Sequence, residues 1–327
     1  MNYIGKDEAI KKMNLLGKEK QPFFFMISFD LKQQLILTEE ELNKSNVYFQ
    51  LPSCERLLKN LSRLPKNILF EKTPIKKADF KKSFETVKKH LDFGNTYLIN
   101  LTKPTPIQTN LNFQQLFQNA HAPYKLLIED ELLVFSPEIF VKVTDGKISS
   151  FPMKGTINAA IPNAENTILE DAKEIAEHNT IVDLIRNDLS MVSKNVRVKR
   201  FRFIDQVKTR DKTLLQVSSE IVGEVSNAFF DQLGDYFFRL LPAGSISGAP
   251  KAKTLEVIQE AEQYERGFYT GVFGYFDGES LDSAVMIRYM EKQGDQIIFK
   301  SGGGITTFSD CEKEYQELID KVYLPIY

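Results

Sequence analysis

The chain has 327 residues, with 42 lysines and arginines against 44 aspartates and glutamates, a formal net charge of −2 at pH 7. No basic surface is announced, so nucleic acid is a poor expectation as partner. The 42% hydrophobic and 26% charged residues form an ordinary globular mixture that can bury a sizeable core. Two cysteines, Cys54 and Cys311, make no disulfide framework and no spaced zinc set, which fits a reducing cytoplasm. No apolar stretch reaches signal-peptide or membrane-spanning length.

Up to about residue 71 the chain reads strand-rich, in FFFMISFD, QLILTEE and NVYFQLP. EKTPIKKA, charged and proline-bearing, reads as a connection. In DFKKSFETVKKHLDFG, Phe80, Phe84, Val87 and Leu91 recur at helical spacing, with Asp79 able to cap the start and Gly94 to stop it. TYLINLT reads as a strand. KLLIEDELLVFSPEIFVKVTDGKISSFPMKGT reads as a run of strands, with a hairpin turn at Asp145-Gly146. A long helix is expected over about Asn163 to Ile185, followed by strands in VKRFRFIDQ and LLQVSSEIVGEV. The last third alternates a glycine-rich turn, a helix, strands and a closing helix near Glu312–Val322. Strands cluster, with helices between the clusters. That is an α+β pattern with antiparallel sheets, not a series of βαβ units. Because the strand groups mix along the chain, one intertwined domain over residues 1–327 is expected, with a strand-rich beginning at 1–75 and the chemical motifs in 76–327.

Four carboxylates stand out. Glu174 and Glu177 are three apart in DAKEIAEHNTIVDLIRNDLS, and Ile181, Leu184 and Asp188 continue their stripe. Glu314 and Glu317 repeat the spacing in CEKEYQELIDK. Two such pairs on two helices could converge on a hard cation such as Mg²⁺, or could be two solvated helix faces. LPAGSISGAPK is no phosphate loop, because Ala249 and Pro250 separate Gly248 from Lys251. SGGGIT lets backbone N–H groups approach an anion, or is a plain turn. Arg288, in SAVMIRYM, reads as a charge within an apolar strand, needing either a carboxylate ligand or a structural ion pair. Lys154, in FPMKGT, is either a surface lysine or a nucleophile whose pKa is lowered by its surroundings. His90, His121 and His178 show no ligand-pair or Ser-His-Asp spacing.

In combination these stretches resemble the chorismate-utilising enzymes. SPE (Ser136–Glu138), PMKGT (Pro152–Thr156), EIAEHNTIVDLIRNDLS (Glu174–Ser190), PAGSISGAPK (Pro242–Lys251), RGFYTGVFGYF (Arg266–Phe276), MIRY (Met286–Tyr289) and GGGITTFSDCEKEYQELIDK (Gly302–Lys321) occur in family order. The resemblance implies a sandwich of two antiparallel sheets with helices outside. It implies Mg²⁺ held by Glu174, Glu177, Glu314 and Glu317, and Glu138 as acid/base. Tyr269 and Arg288 would hold the enolpyruvyl carboxylate, with Gly155, Thr156, Gly302, Gly303, Gly304 and Lys321 lining the substrate.

Lys154 stands where anthranilate synthases carry alanine and the aminodeoxychorismate synthases carry lysine. It therefore implies attack of Lys154 on C2 of chorismate, then addition of ammonia at C4 to give 4-amino-4-deoxychorismate for 4-aminobenzoate and folate. Anthranilate formation and a non-catalytic chorismate-binding subunit are the alternatives. Gln216 stands where relatives often carry histidine, and Leu98 where they carry glutamine or lysine. Ser190-Met191 replaces a usual Gly-Arg, and the short amino-terminal region gives no expectation of a tryptophan pocket. No nucleophilic cysteine sits in a G-x-C-x-G turn, so the ammonia is expected from a separate glutamine amidotransferase subunit.

Overall fold

The computed structural model describes residues 1–60, 63–208 and 213–326, without the side chains of residues 154, 156, 172, 173, 207, 208 and 214. Its strands are β1 (Phe23–Ile27), β2 (Gln34–Thr38), β3 (Val47–Gln50), β4 (Glu55–Arg56), β5 (Phe70–Lys72), β6 (Leu98–Thr109), β7 (Tyr124–Ile128), β8 (Leu132–Ser136), β9 (Ile139–Thr144), β10 (Lys147–Ser150), β11 (Met153–Asn158), β12 (Lys194–Lys208), β13 (Thr213–Glu224), β14 (Gly248–Ala249), β15 (Val272–Phe276), β16 (Leu281–Val285), β17 (Tyr289–Gln293) and β18 (Gln296–Ile305). Its α-helices are α1 (Lys6–Lys18), α2 (Glu39–Asn43), α3 (Lys77–Asp92), α4 (Phe113–Asn119), α5 (Ala164–Glu170), α6 (Ala172–Ser190), α7 (Leu233–Arg239), α8 (Gly244–Ser247), α9 (Lys251–Glu262) and α10 (Cys311–Asp320).

The strands form two antiparallel sheets. One runs β11-β13-β10-β9-β16-β15-β1-β2, with β12 also on β13; the other runs β14-β6-β18-β17-β8-β7-β3-β4, with β5 on β6. The run FFFMI explains why they stack. Phe24 and Met26 face a core shared with Val47, Phe49, Leu126 and Val134 of the second sheet. Phe23, Phe25 and Ile27 face the opposite way, onto Ala9, Met13 and Leu16 of α1 and Phe237 of α7. Both faces of β1 are covered, so the strand is continuously apolar instead of alternating. Behind the second sheet, Phe80, Phe84, Val87 and Leu91 of α3 pack with Val257 and Ile258 of α9, Leu318 of α10 and Ile99 and Leu101 of β6. Burying each such side chain contributes roughly 1.5–3 kcal/mol. Among the described residues, no helix is long and apolar enough to cross a membrane.

The α+β sandwich, the helix through Phe80–Leu91, the Asp145-Gly146 hairpin and the closing helix match the sequence reading. Several elements differ. The first 71 residues also hold α1, whose Ala9, Met13 and Leu16 are buried at helical spacing. EKTPIKKA opens in β5, paired to β6. Lys76, not Asp79, is the N-cap of α3. The helix expected over Asn163–Ile185 is two, because Asp171 takes an extended conformation (ψ 115°) and its carboxylate caps α6 by accepting the Glu174 N–H.

Candidate active site

Strand β11 fixes the place of Lys154 by backbone register. Lys154 lies opposite Val217 of β13, and Thr156 opposite Gln216, with the register shifting between them. The extra residue is Gly155, at φ +75°, a conformation that glycine adopts without steric cost. A Cβ on Gly155 would sit 2.9 Å from Glu174 Oε2 and 3.3 Å from Ile168 Cδ1, so the α6 carboxylate occupies the room the glycine leaves. The side chains of Lys154 and Thr156 lie outside the described residues. On α6, Glu174 is half-buried, and Glu177 and His178 are buried. His178 Nε2 is 2.7 Å from Ser219 Oγ, which also accepts the Arg202 N–H.

The second glycine run is a strand, not a turn. Gly302, Gly303 and Gly304 lie within β18 opposite Thr102, Leu101 and Asn100 of β6. A Cβ on Gly302 would meet the Leu101 carbonyl at 2.5 Å, which is why a residue type that weakens strands is needed inside one. A Cβ on Gly303 would meet Glu317 Oε1 at 3.4 Å, Glu314 Oε2 at 3.5 Å and Lys321 Nζ at 3.6 Å. Those three side chains come from α10 and its C-cap Lys321; the N-cap Asp310 accepts the Glu312 and Lys313 N–H groups. Glu314 is buried and Glu317 exposed. Lys321 Nζ is 2.6 Å from Glu317 Oε1 and donates to the Gly302 carbonyl at 2.9 Å.

A third group centres on Glu138, between β8 and β9. Its N–H donates to Ser136 Oγ at 3.0 Å, and its carbonyl accepts the Val285 N–H at 3.1 Å. The Ser245 hydroxyl donates to Glu138 Oε1. Ser245 follows Gly244, where a Cβ would lie 2.9 Å from Leu184 Cδ2 and 3.0 Å from Asp188 Oδ2. A cavity beside Glu138 is lined by Ser150, Pro152, Asp188, Gly244 and Ser245 among others. Asp188 is locked by Lys251 Nζ, 2.9 Å from both carboxylate oxygens. Burial raises the Asp188 carboxyl above its ordinary range, against the opposing pull of Lys251.

Tyr269 is buried, and burial above all raises its hydroxyl pKa; the charges of Arg266, Glu262, Arg288 and Glu138 act on it in turn. Arg288 is not within a strand. It sits at φ +53° in the bend between β16 and β17, its guanidinium 5.5 Å from the Tyr323 ring centroid and its Nε 3.4 Å from the Tyr323 hydroxyl.

Glu174 thus lies against Gly155 of β11, and Glu314 and Glu317 lie against Gly303 of β18. Oxygen donors of this kind suit a hard divalent cation. Among the described residues, no three acidic, histidine or cysteine side chains come together as a ready metal cluster. Leu98 is buried in the core, paired with Ala249 of β14. Gln216 is half-buried in β13, between Thr156 and Asp205. Sequence reasoning gave no role to Ser245, nor to the Asp188–Lys251 pair. Both lie inside quoted motifs, but the distance of 107 residues between Ser245 and Glu138 hides the contact.

The sequence pattern of the chorismate binding enzymes matches residues 27–326. An uncharacterised PabA-like protein of Haemophilus influenzae is 48% identical over 97% of this chain and 96% of its own. An anthranilate synthase component 1 of Acetivibrio thermocellus is 32% identical over 78% of this chain and 54% of its own. An aminodeoxychorismate synthase component 1 of Bacillus subtilis is 29% identical over 76% and 55%. This chain thus spans about half the length of those two synthases. The fold is that of the menaquinone-specific isochorismate synthase MenF of Escherichia coli, with a TM-score of 0.75 at 17% identity over 98% of this chain and 82% of that one. The chain belongs to the chorismate binding enzyme family.

Proposed function

We propose that this chorismate-utilising enzyme aminates chorismate at C4 to 4-amino-4-deoxychorismate, with Lys154 as a transient covalent nucleophile. The observation that carries the reading is the lysine itself, set next to Gly155 in the bulged strand that α6 covers with Glu174. The uncharged Lys154 amine adds to C2, the ring double bonds shift, and the C4–O bond breaks. The hydroxyl takes a proton from Glu138 and leaves as water. Ammonia then adds at C4, the double bonds shift back, and the C2–N bond breaks to free the lysine. The enolpyruvyl group stays attached.

Ser245, which donates to Glu138 Oε1, aims that carboxyl. Tyr269 and Arg288 hold the enolpyruvyl carboxylate, and Gly155, Thr156, Gly302, Gly303, Gly304 and Lys321 line the ring. Glu174, Glu177, Glu314 and Glu317 are the residues that would hold Mg²⁺, which when bound supplies positive charge for the ring carboxylate. Leu98, a buried apolar residue, offers no base to activate water, which favours ammonia as the nucleophile. Gln216 cannot act as an acid, which leaves that role to Glu138. The ammonia comes from a separate glutamine amidotransferase subunit, and the reaction serves 4-aminobenzoate and folate synthesis in the cytoplasm.

Lys154→Ala tests the reading. Turnover of chorismate with ammonium should fall roughly 10³-fold or more, as for loss of a covalent nucleophile. With ammonia withheld, intact-protein mass spectrometry should show a chorismate-derived adduct on the wild type and none on the variant. Full activity in the variant would remove the lysine mechanism. A second reading, anthranilate formation, is favoured by the 32% identity to the Acetivibrio thermocellus synthase, and pyruvate release separates the two.

A further inference from the structure

The turn RGFYTG does more in this fold than carry Tyr269. Its first residue, Arg266, is 3% exposed, as is Glu262 four residues earlier at the end of α9. All five N–H groups of the guanidinium have acceptors. Nε donates to Glu262 Oε2 at 2.8 Å. Nη2 donates to Glu262 Oε1 at 2.7 Å and to the Asn100 carbonyl at 2.6 Å. Nη1 donates to the Ile246 carbonyl at 3.0 Å and to Thr270 Oγ1 at 3.2 Å. The Phe29 ring centroid lies 4.4 Å from the guanidinium carbon. Glu262 Oε1 also accepts the Thr102 N–H at 2.7 Å and the Thr102 hydroxyl at 2.8 Å.

Beyond Glu262 and Phe29, the residues of this network adjoin residues of the proposed site. Asn100 and Thr102 of β6 lie opposite Gly304 and Gly302. Ile246 follows Ser245, the donor to Glu138, and Thr270 follows Tyr269. Two buried lysines brace the same segment: Lys103 donates to the Glu262 carbonyl and Lys300 to the Arg266 carbonyl, both at 2.9 Å. A buried ion pair is weak as a source of stability, because desolvation offsets most of the attraction. A saturated, planar fork is strong at fixing directions.

We propose that Arg266, paired with Glu262, is a positioning residue that fixes the Tyr269 turn and the Ser245 turn against strand β6, and so sets the spacing of the groups that grip chorismate. The inference rests on the reading above that Tyr269 and Glu138 act on chorismate.

The test compares the full-length wild type with Arg266→Lys, Thr270→Val and the control Lys125→Met. Lys125 is a buried lysine that caps α4 through the Phe117 and Ala120 carbonyls, remote in sequence and function from the site motifs. Arg266→Lys should raise the chorismate KM about ten-fold, as misplacement of binding groups does, with the ammonium KM unchanged. Thr270→Val removes one acceptor and keeps the shape, and should raise the chorismate KM about three-fold. Lys125→Met should lower the melting temperature and leave both constants alone. If Arg266→Lys does not fold, Thr270→Val carries the test. Calorimetric binding of chorismate is measured on all four proteins. Absent turnover in the wild type would sink the amination reading, whereas the binding comparison would still decide on Arg266. Unchanged chorismate affinity in both site variants, or an equal shift in Lys125→Met, would reduce Arg266 to a core ion pair.

Discussion

Two helices press carboxylates onto strand glycines, one in each sheet. Helix α6 sets Glu174 against Gly155 of β11, and α10 sets Glu314 and Glu317 against Gly303 of β18. The sequence spacing is the same on both helices, but the supports differ. Gly155 sits at a bulge with φ +75°, so its backbone demands glycine independently of the space Glu174 takes. Gly303 lies in regular register with Leu101, and the side-chain ends above it stand at ordinary contact distance from the place of a Cβ. The α10 side also carries its own counter-charge in Lys321, close to Glu317. The β11 wall is thus shaped by backbone strain relief and the β18 wall by packing and charge.

That contrast can be broken by substitution. Gly155→Ala should be the more damaging glycine variant. Its left-handed backbone alone costs about 1–2 kcal/mol, and the new methyl must also displace Glu174. Thermal unfolding and chorismate titration should both show the loss. Gly303→Ala should leave thermal stability within about 0.5 kcal/mol of wild type, since only movable side-chain ends stand at contact distance, while weakening chorismate binding. Equal destabilisation by the two would erase the distinction. Glu317→Gln removes the exposed ion pair with Lys321, so stability should change by less than about 1 kcal/mol. Activity should drop further than stability does, because the variant loses the negative charge that Glu317 sets beside Lys321 over the Gly302–Gly303 backbone.

The smallest effect concerns β13, the strand behind β11. Its Glu220 feels burial, which raises its pKa, but hydrogen bonds and charge from Lys199 and Arg200 outweigh this and hold it below the ordinary carboxylate value. A depressed pKa contributes stability that is present above the unfolded value and lost as pH falls through the folded one. Denaturant melts between pH 6 and the acid limb should therefore show a shallower acid decline for Glu220→Gln. An unchanged slope would mean that these ion pairs do not tie β12 to β13 in solution.

Much of this was readable in the residues. Phe80, Phe84, Val87 and Leu91 announce α3, because one face of that helix is buried and the other is solvated. The motif order identified the family before any geometry was known. What was hidden needed three dimensions. Three glycines in a row read as a turn, yet β18 uses them because the Leu101 carbonyl and Thr102 fill the place of a side chain at Gly302. Arg288 read as part of a strand because its neighbours are apolar, but its positive φ ends the run. The Arg266 network joins β6, α8 and α9, and no local pattern signals contacts that far apart in the chain.

The most direct test of the central claim is to incubate the protein with chorismate, Mg²⁺ and a high concentration of ammonium salt, and to follow chorismate, pyruvate and product mass together. Chorismate consumed without pyruvate, with an amino-substituted product that keeps the enolpyruvyl group, is the result predicted here. Pyruvate released in step with chorismate loss would contradict it and point to anthranilate.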